Sequence, residues 1–131
     1  MFLCDTNIIS ELSRSNPNQG VIDWANRIDV LTISVITVDE IYFGLAAKPN
    51  LKITAWWKNL VTSKCEILPV TTVIAEYAGN IRGFHRTKGQ VRHQADMLIA
   101  ATAKMHYLTL VTRNVKDFDG CEIEILNPFD R

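Results

Sequence analysis

The sequence lacks the features that identify disulfide-bonded, zinc-binding, fibrous, disordered and membrane-spanning proteins. Its 3 cysteines are odd in number, widely spaced and without a C-x-x-C pair, so neither a disulfide framework nor a zinc knuckle is expected. Only 4 prolines and 6 glycines occur in 131 residues, which excludes a fibrous or disordered chain. No apolar run approaches the roughly 20 residues of a membrane span. The first apolar run meets Asp5 without a basic segment before it, so no signal peptide is expected either.

The formal net charge is zero, because the chain has 14 lysines and arginines and 14 aspartates and glutamates. No general basic excess therefore indicates a nucleic-acid partner. The hydrophobic fraction of 47% is typical of a globular chain, and about 100 to 150 residues is the commonest size of one domain. We expect a single cytoplasmic domain over residues 1–131.

Short apolar runs alternate with helical periodicities along the chain, which predicts an α/β domain with a mainly parallel sheet. Thr37 and Glu40 have the spacing of a capping box at the start of the third helix. Four to five strands are expected, at 2–4, 30–34, 67–70, 108–111 and, at an edge, 123–126. The helices are expected at about 8–12, 21–25, 37–49, 51–63, 71–84 and 93–105, the last against the centre of the sheet.

Acidic side chains follow the predicted strands or open the next helices. They are Asp5, Glu40, Asp96 and Asp117, with Asn114 nearby. In open α/β sheets, ligands bind beyond the carboxyl ends of the strands, so these groups could converge there. Unpaired carboxylates in one cleft repel each other, which makes a divalent cation the expected partner. Oxygen ligands without cysteine or histidine favour Mg²⁺ or Mn²⁺ over zinc.

Each acid also has a purely structural explanation. Glu40 could close the capping box, and Asp96 could be an acid at the positive end of a helix. Asp5 could cap the helix that follows it, although Thr6 or Asn7 could do so without a buried charge. The polar residues after the fourth strand could be ordinary turn residues. Spacing alone leaves both explanations open.

Four sequence blocks resemble the signature of PIN domains of the VapC toxin type. They are residues 1–7 (MFLCDTN), 34–41 (SVITVDEI, followed by Gly44), 96–103 (DMLIAATA) and 110–118 (LVTRNVKDF). The D-T-N of the first block would be a weak signal alone, but four blocks in order over the whole chain are specific. The resemblance implies a PIN-like, three-layer α/β/α domain.

The resemblance to PIN domains also implies an activity. PIN domains of this type are endoribonucleases and the toxin components of type II toxin–antitoxin systems, and they hydrolyse RNA phosphodiester bonds with Mg²⁺- or Mn²⁺-activated water. The partners implied are an RNA substrate, a VapB-like antitoxin and a second copy in a homodimer, with no membrane. The alternative is a non-catalytic PIN-fold module that binds RNA or protein.

The family's metal-site acids correspond to Asp5, Glu40 and Asp96 in this sequence. The last block leaves open whether Asn114 or Asp117 completes the site. The resemblance thus assigns catalysis and metal binding to Asp5, Glu40, Asp96 and Asp117. Supporting roles are expected for Thr6, Asn7, Thr112 and Asn114, with Thr112 orienting a water or ligand unless it is an ordinary strand-end hydroxyl.

Two further features suggest contacts with partners. No acid occurs between Glu76 and Asp96, and the basic residues in between are expected to bind RNA or to form a solvated face: Arg82, Arg86, Lys88 and Arg92. Trp56 and Trp57 point about 100° apart on a helix, so both can hardly enter one core. One of them is expected at an antitoxin groove or a dimer contact.

Overall fold

The computed structural model describes residues 1–130. The strands are β1 (Phe2–Cys4), β2 (Leu31–Ser34), β3 (Cys65–Leu68), β4 (Thr109–Val111) and β5 (Ile125–Leu126). The helices are α1 (Thr6–Leu12), α2 (Gln19–Asn26), α3 (Val35–Ala47), α4 (Leu51–Lys64), α5 (Thr72–Thr87) and α6 (Gln94–Met105), and a 3₁₀ helix follows β4 at Val115–Phe118. Over this part of the chain, no helix has both the length and the apolar character needed to cross a membrane.

The five strands form one sheet in the order β3-β2-β1-β4-β5, and every neighbouring pair is parallel. The predicted α/β class is therefore confirmed. Because the strands are parallel, all their carboxyl ends lie at one edge of the sheet. The chain winds outward through β2 and β3 and then returns to the other side of β1 with β4. The β1–β4 boundary is thus the topological switch point, where α/β proteins usually bind ligands.

Alternating side chains of the central strands supply two separate cores. Leu3 and Leu110 pack with residues of α5 and α6 on one face of the sheet. Their neighbours Cys4 and Val111 pack with residues of α1, α2 and α4 on the other face. Because both faces are covered, the domain has the three layers expected of a parallel sheet, and the three-layer prediction is confirmed.

Helix α6 is buried along most of its length, as its apolar sequence predicts. Ile99, Ala100 and Ala103 have no exposed surface, and the small alanines let the helix pack closely on the sheet. Its first turn carries Asp96. Core packing of α6 therefore fixes where this acid lies.

Several predicted boundaries are wrong by two or three residues, including the start of β5, which is Ile125 rather than residue 123. Two of these differences have a clear local cause. Helix α3 begins at Val35 rather than Thr37, because the Ser34 hydroxyl accepts a hydrogen bond from the Ile36 N–H at 3.0 Å and caps the helix as β2 ends. Thr37 is buried inside the helix, so the predicted capping box is absent. Strand β3 lies two residues earlier than predicted, because α4 runs directly into it and pairing with β2 ends at Leu68.

Candidate active site at the carboxyl edge of the sheet

Asp5 lies at the end of β1, at the switch point. Its backbone N–H donates to the Val111 carbonyl at 2.9 Å, which extends the pairing of β1 with β4. The residue is only 4% exposed, and its Oδ1 accepts from the Thr6 N–H at 2.8 Å. Asp5 is thus the N-cap of α1, and capping by Thr6 or Asn7 is not observed. Because capping uses one oxygen, Oδ2 is left for other partners.

Oδ2 of Asp5 belongs to a closed hydrogen-bond network. It accepts from the Thr112 hydroxyl at 2.9 Å and from the Asn7 amide at 3.1 Å. The Thr112 oxygen in turn accepts from the Asn7 amide at 3.1 Å and from the Asn114 N–H at 3.0 Å. The Arg113 N–H donates to Asn7 Oδ1 at 3.1 Å, which sets the orientation of that amide. Asn7 and Thr112 thus hold the Asp5 carboxylate directly, and the N–H groups of residues 113 and 114 hold Asn7 and Thr112 in turn.

The network offsets the cost of burying this charge. Burial raises the pKa of Asp5 and nearby Glu40 adds to the rise, while the bonds from Thr112, Thr6 and Asn7 lower it. An uncompensated buried carboxylate costs several kcal/mol, and each hydrogen bond to a charged group contributes about 1.5–3 kcal/mol. Three such bonds roughly balance the penalty. The effect of burial on the pKa is larger than that of the hydrogen bonds, so the pKa of Asp5 stays above its ordinary value.

Glu40 is held beside this network by a contact that the sequence did not indicate. Its Oε1 accepts from the Thr6 hydroxyl at 2.6 Å, and the same hydroxyl lies 3.1 Å from that of Thr37. Thr6 therefore links the Asp5 side of the site, through its N–H, to Glu40 on α3. The only sequence signal for this contact is the polar residue next to Asp5.

Asp96 completes the acidic group from the other face of the sheet. The pKa of Asp96 is raised to about 6, first by burial and then by the negative charges of Asp5, Asp117 and Glu40. The nearby His93 opposes the rise. The other three predicted acids therefore all act electrostatically on Asp96, and Glu40 also acts on Asp5.

The two candidates after β4 differ in what they contribute. Asp117 lies exposed on the 3₁₀ helix and its charge reaches Asp96. Asn114 uses its N–H to hold Thr112, and its side chain makes no hydrogen bond within residues 1–130. Asp117 thus adds negative charge to the site, whereas Asn114 supports the Asp5 network through its backbone.

The donor chemistry of these residues suits a hard divalent cation. The donors are carboxylate oxygens, and within the described residues none of the four acids forms an ion pair with a lysine or arginine. A cation would relieve the repulsion that raises the pKa of Asp96. In residues 1–130 as they stand, no three His, Cys, Asp or Glu side chains are arranged as metal ligands. Holding an ion would therefore require side-chain adjustment or bridging waters.

The predicted basic patch divides into groups with different surroundings. Arg82 and Arg86 are exposed on α5 and line a cavity of about 270 Å³ with Gly79 and Gly83. The Lys88 ammonium lies 5.0 Å from the centre of the Phe84 ring.

Arg92 lines the same cavity but is already engaged. Its guanidinium donates to the carbonyls of Lys116 and Asp117 at 3.2 and 2.8 Å, and to that of Asp119 at 2.8 Å. Sequence reasoning missed this role, because a loop arginine between basic residues carries no signal for it.

An apolar groove adjoins the acids on the α4 side of the sheet. Trp57 is 1% exposed and belongs to the core, whereas Trp56 is half-buried, so the two tryptophans do differ in burial. Both line a cavity of about 390 Å³ between α1, α3 and α4. Glu40 also lines this cavity, so anything bound there would lie next to the acidic group.

Comparison with known proteins finds a match over nearly the whole chain. Residues 2–120 match the PIN domain family. The chain is 33% identical to VapC ribonuclease Y4jK of Sinorhizobium fredii, covering 99% of both proteins. It is 35% identical to toxin FitB of Neisseria gonorrhoeae over 98% of this chain and 99% of the toxin.

Solved structures show the same similarity. The crystal structure of FitAcB from N. gonorrhoeae superposes with a TM-score of 0.83 at 34% identity over 98% of both chains. A toxin-antitoxin complex from Klebsiella pneumoniae superposes with a TM-score of 0.77 at 26% identity over the full length of both chains.

The raised pKa of Asp96 predicts a pH dependence of stability. With a chelator present, the free energy of unfolding should fall as pH rises from about 4 to about 6, because the folded protein keeps this proton to higher pH than the unfolded chain does. Asp96 is partly exposed, so screening limits the effect to about 1 kcal/mol.

Urea unfolding at a series of pH values measures this effect. In Asp96→Asn the decline should be smaller by that amount, whereas Asp39→Asn, an exposed acid on α3, should behave like the parent. A pH profile of Asp96→Asn identical to that of the parent would contradict the assignment.

Proposed function

The chain belongs to the PIN domain family, and on that premise we propose that it is a metal-dependent endoribonuclease that acts as the toxin of a type II toxin–antitoxin system. The observation that carries the proposal is the group of four unpaired acids around Asp5 at the switch point of the sheet. Relatives named as a ribonuclease and a toxin support it. The reaction is hydrolysis of RNA phosphodiester bonds.

The acids are proposed to hold Mg²⁺ or Mn²⁺, with Asp5 and Asp96 as the central ligands and Glu40 and Asp117 completing the site. When bound, such an ion supplies the Lewis acidity that lowers the pKa of a water and stabilises charge on the leaving oxygen. The protein's own contribution is preorganisation. Thr112 and Asn7 hold the Asp5 carboxylate, and their fixed orientation avoids reorganisation during the reaction.

RNA is proposed to reach the acids along the basic patch on α5. Arg82 and Arg86 are exposed, form no ion pair within the described residues, and face one cavity, so their guanidinium groups are available to phosphates. Lys88 follows at the end of the same helix and adds positive charge. Arg92 adds charge too, although its guanidinium is engaged with backbone carbonyls.

A VapB-like antitoxin is the proposed protein partner, and the toxin-antitoxin complex from K. pneumoniae supports this. We propose that an apolar segment of the antitoxin lies in the groove lined by Trp56 and blocks access to Glu40. The three free cysteines agree with a reducing cytoplasm as the compartment. The homodimer implied by the family stays a prediction.

The central prediction concerns the acids. Purified protein should cleave RNA with Mg²⁺ or Mn²⁺, and Asp5→Asn or Asp96→Asn should lower the rate by at least about a hundredfold, because each removes a charge that the ion requires. Asp39→Asn, next to Glu40 but exposed, is the matched control and should stay active. Gel analysis of labelled RNA measures this. No metal-dependent cleavage by the parent would instead favour a non-catalytic PIN-fold module.

A second prediction concerns RNA affinity. Arg82→Ala and Arg86→Ala should each weaken binding of single-stranded RNA and lower the slope of log affinity against log salt by about 1, because one phosphate contact is lost. Lys58→Ala, an exposed cation on α4, should change neither. Fluorescence anisotropy with Asp96→Asn protein avoids cleavage during the measurement. An unchanged slope in both variants would remove the patch from the proposal.

A third prediction concerns the antitoxin. Trp56→Ala should weaken the complex with the cognate antitoxin by about 2 kcal/mol, the usual loss for a central aromatic anchor. Phe43→Ala, which is 74% exposed on α3 and does not line the groove, is the matched control. Calorimetric titration measures both, and thermal melting checks that the variants fold. Equal affinity of Trp56→Ala and the parent would place the antitoxin elsewhere.

A further inference from the structure

The 3₁₀ helix that carries Asp117 is anchored in the core by Phe118 and receives hydrogen bonds from one side chain outside it, that of Arg92. Its four residues provide few internal bonds: the Asp117 N–H donates to Asn114 and the Asp119 N–H to Lys116. Carbonyls at the end of so short a helix have no partners within it. The Arg92 guanidinium binds three of the carbonyls here, those of residues 116, 117 and 119.

These contacts use most of what the Arg92 guanidinium can donate. Nη1 donates to two carbonyls, which accounts for both of its hydrogens, and Nη2 donates to a third. Nε is buried and has no partner within residues 1–130, so it is not presented to solvent. Little donor capacity is left for a phosphate, in contrast to Arg82 and Arg86.

The position of Arg92 in the chain determines which two backbone segments its hydrogen bonds connect. It lies two residues before α6, and the first turn of α6 carries Asp96. Arg92 therefore connects the backbone that presents Asp96 to the backbone that presents Asp117. The Asp117 side chain itself is exposed and accepts no hydrogen bond within the described residues. Its place relative to Asp96 is therefore set through the backbone, by the Arg92 hydrogen bonds and by the neighbouring Phe118, which is buried against α6.

We propose that Arg92 is a positioning residue, which holds the backbone that carries Asp117 near the start of α6 so that Asp117 and Asp96 can serve one divalent cation. This role rests on the proposed function, because it assumes that both acids serve one cation. It differs from the phosphate contact expected from the sequence. A planar guanidinium suits this role because it can bind several carbonyls in one fixed geometry, whereas a lysine ammonium is a point charge on a flexible stem.

Mn²⁺ binding to the full chain tests the role without RNA and without turnover. Electron paramagnetic resonance of free Mn²⁺ should show a dissociation constant at least about tenfold higher for Arg92→Lys and Arg92→Ala, the usual effect of losing an outer partner of a metal site. Arg92→Lys keeps the charge, so a purely electrostatic effect would be rescued in it and a positioning effect would not. Arg27→Ala, at an exposed arginine at the end of α2 that also donates to a backbone carbonyl, is the matched control.

A double-mutant cycle separates positioning from a general structural effect. If Arg92 acts through Asp117, Arg92→Lys should not weaken Mn²⁺ binding further in an Asp117→Asn background. Hydrogen exchange should also become faster at residues 115–119 in Arg92→Ala, because the turn loses its external bonds.

The possible results distinguish a failure of the positioning role of Arg92 from a failure of the proposed nuclease function. Parent-like Mn²⁺ affinity in Arg92→Lys, or an equal loss in the Asp117→Asn background, would overturn the positioning role and leave the nuclease proposal intact. A parent chain that binds no Mn²⁺ would overturn the metal site and this role together. An Arg92 variant with normal Mn²⁺ affinity but weaker RNA binding would return Arg92 to the phosphate contacts.

Discussion

The contact between the Thr112 hydroxyl and the Asp5 carboxylate is the interaction on which the site depends. It joins the ends of β1 and β4 at the switch point of the sheet, 107 residues apart in the chain. A buried carboxylate is tolerated there only because its hydrogen bonds offset the cost of removing it from water. The same bonds fix its orientation, so the requirement for stability and the requirement for function are met by one network.

Negative charge explains how the rest of the site is arranged. Asp96, Glu40 and Asp117 reach the edge from three different elements. Burial raises the pKa of Asp96, and repulsion from Asp5, Asp117 and Glu40 adds to the rise. The chain is neutral overall, yet this edge is acidic and the cavity beside α5 is lined by arginines. A phosphate backbone would be repelled by the acids until a cation neutralises them and attracted by the neighbouring arginines. Equal numbers of acidic and basic residues in the chain therefore do not predict the electrostatic field near the site.

The sequence predicted much of this because the relevant signals are local. Alternation of apolar runs gave the parallel sheet, and Asp5 and Asp96 could be located by their positions next to a strand and a helix start. Tertiary contacts were not predictable in the same way. The hydroxyl of Thr6 reaching Glu40, and Arg92 binding carbonyls 24 to 27 residues away, depend on how helices pack. Thr37 is not the predicted cap, because Ser34 both ends β2 and caps α3.

The most direct measurement is a crystal structure of the protein soaked in Mn²⁺, with anomalous scattering to locate the ion. We expect an anomalous peak at the carboxyl edge of the sheet, within about 2.2 Å of carboxylate oxygens of both Asp5 and Asp96. The Thr112 bond to Asp5 should be retained with the ion bound. No peak at this edge, or Mn²⁺ bound only elsewhere on the surface, would contradict the assignment of these acids to a metal-dependent nuclease site.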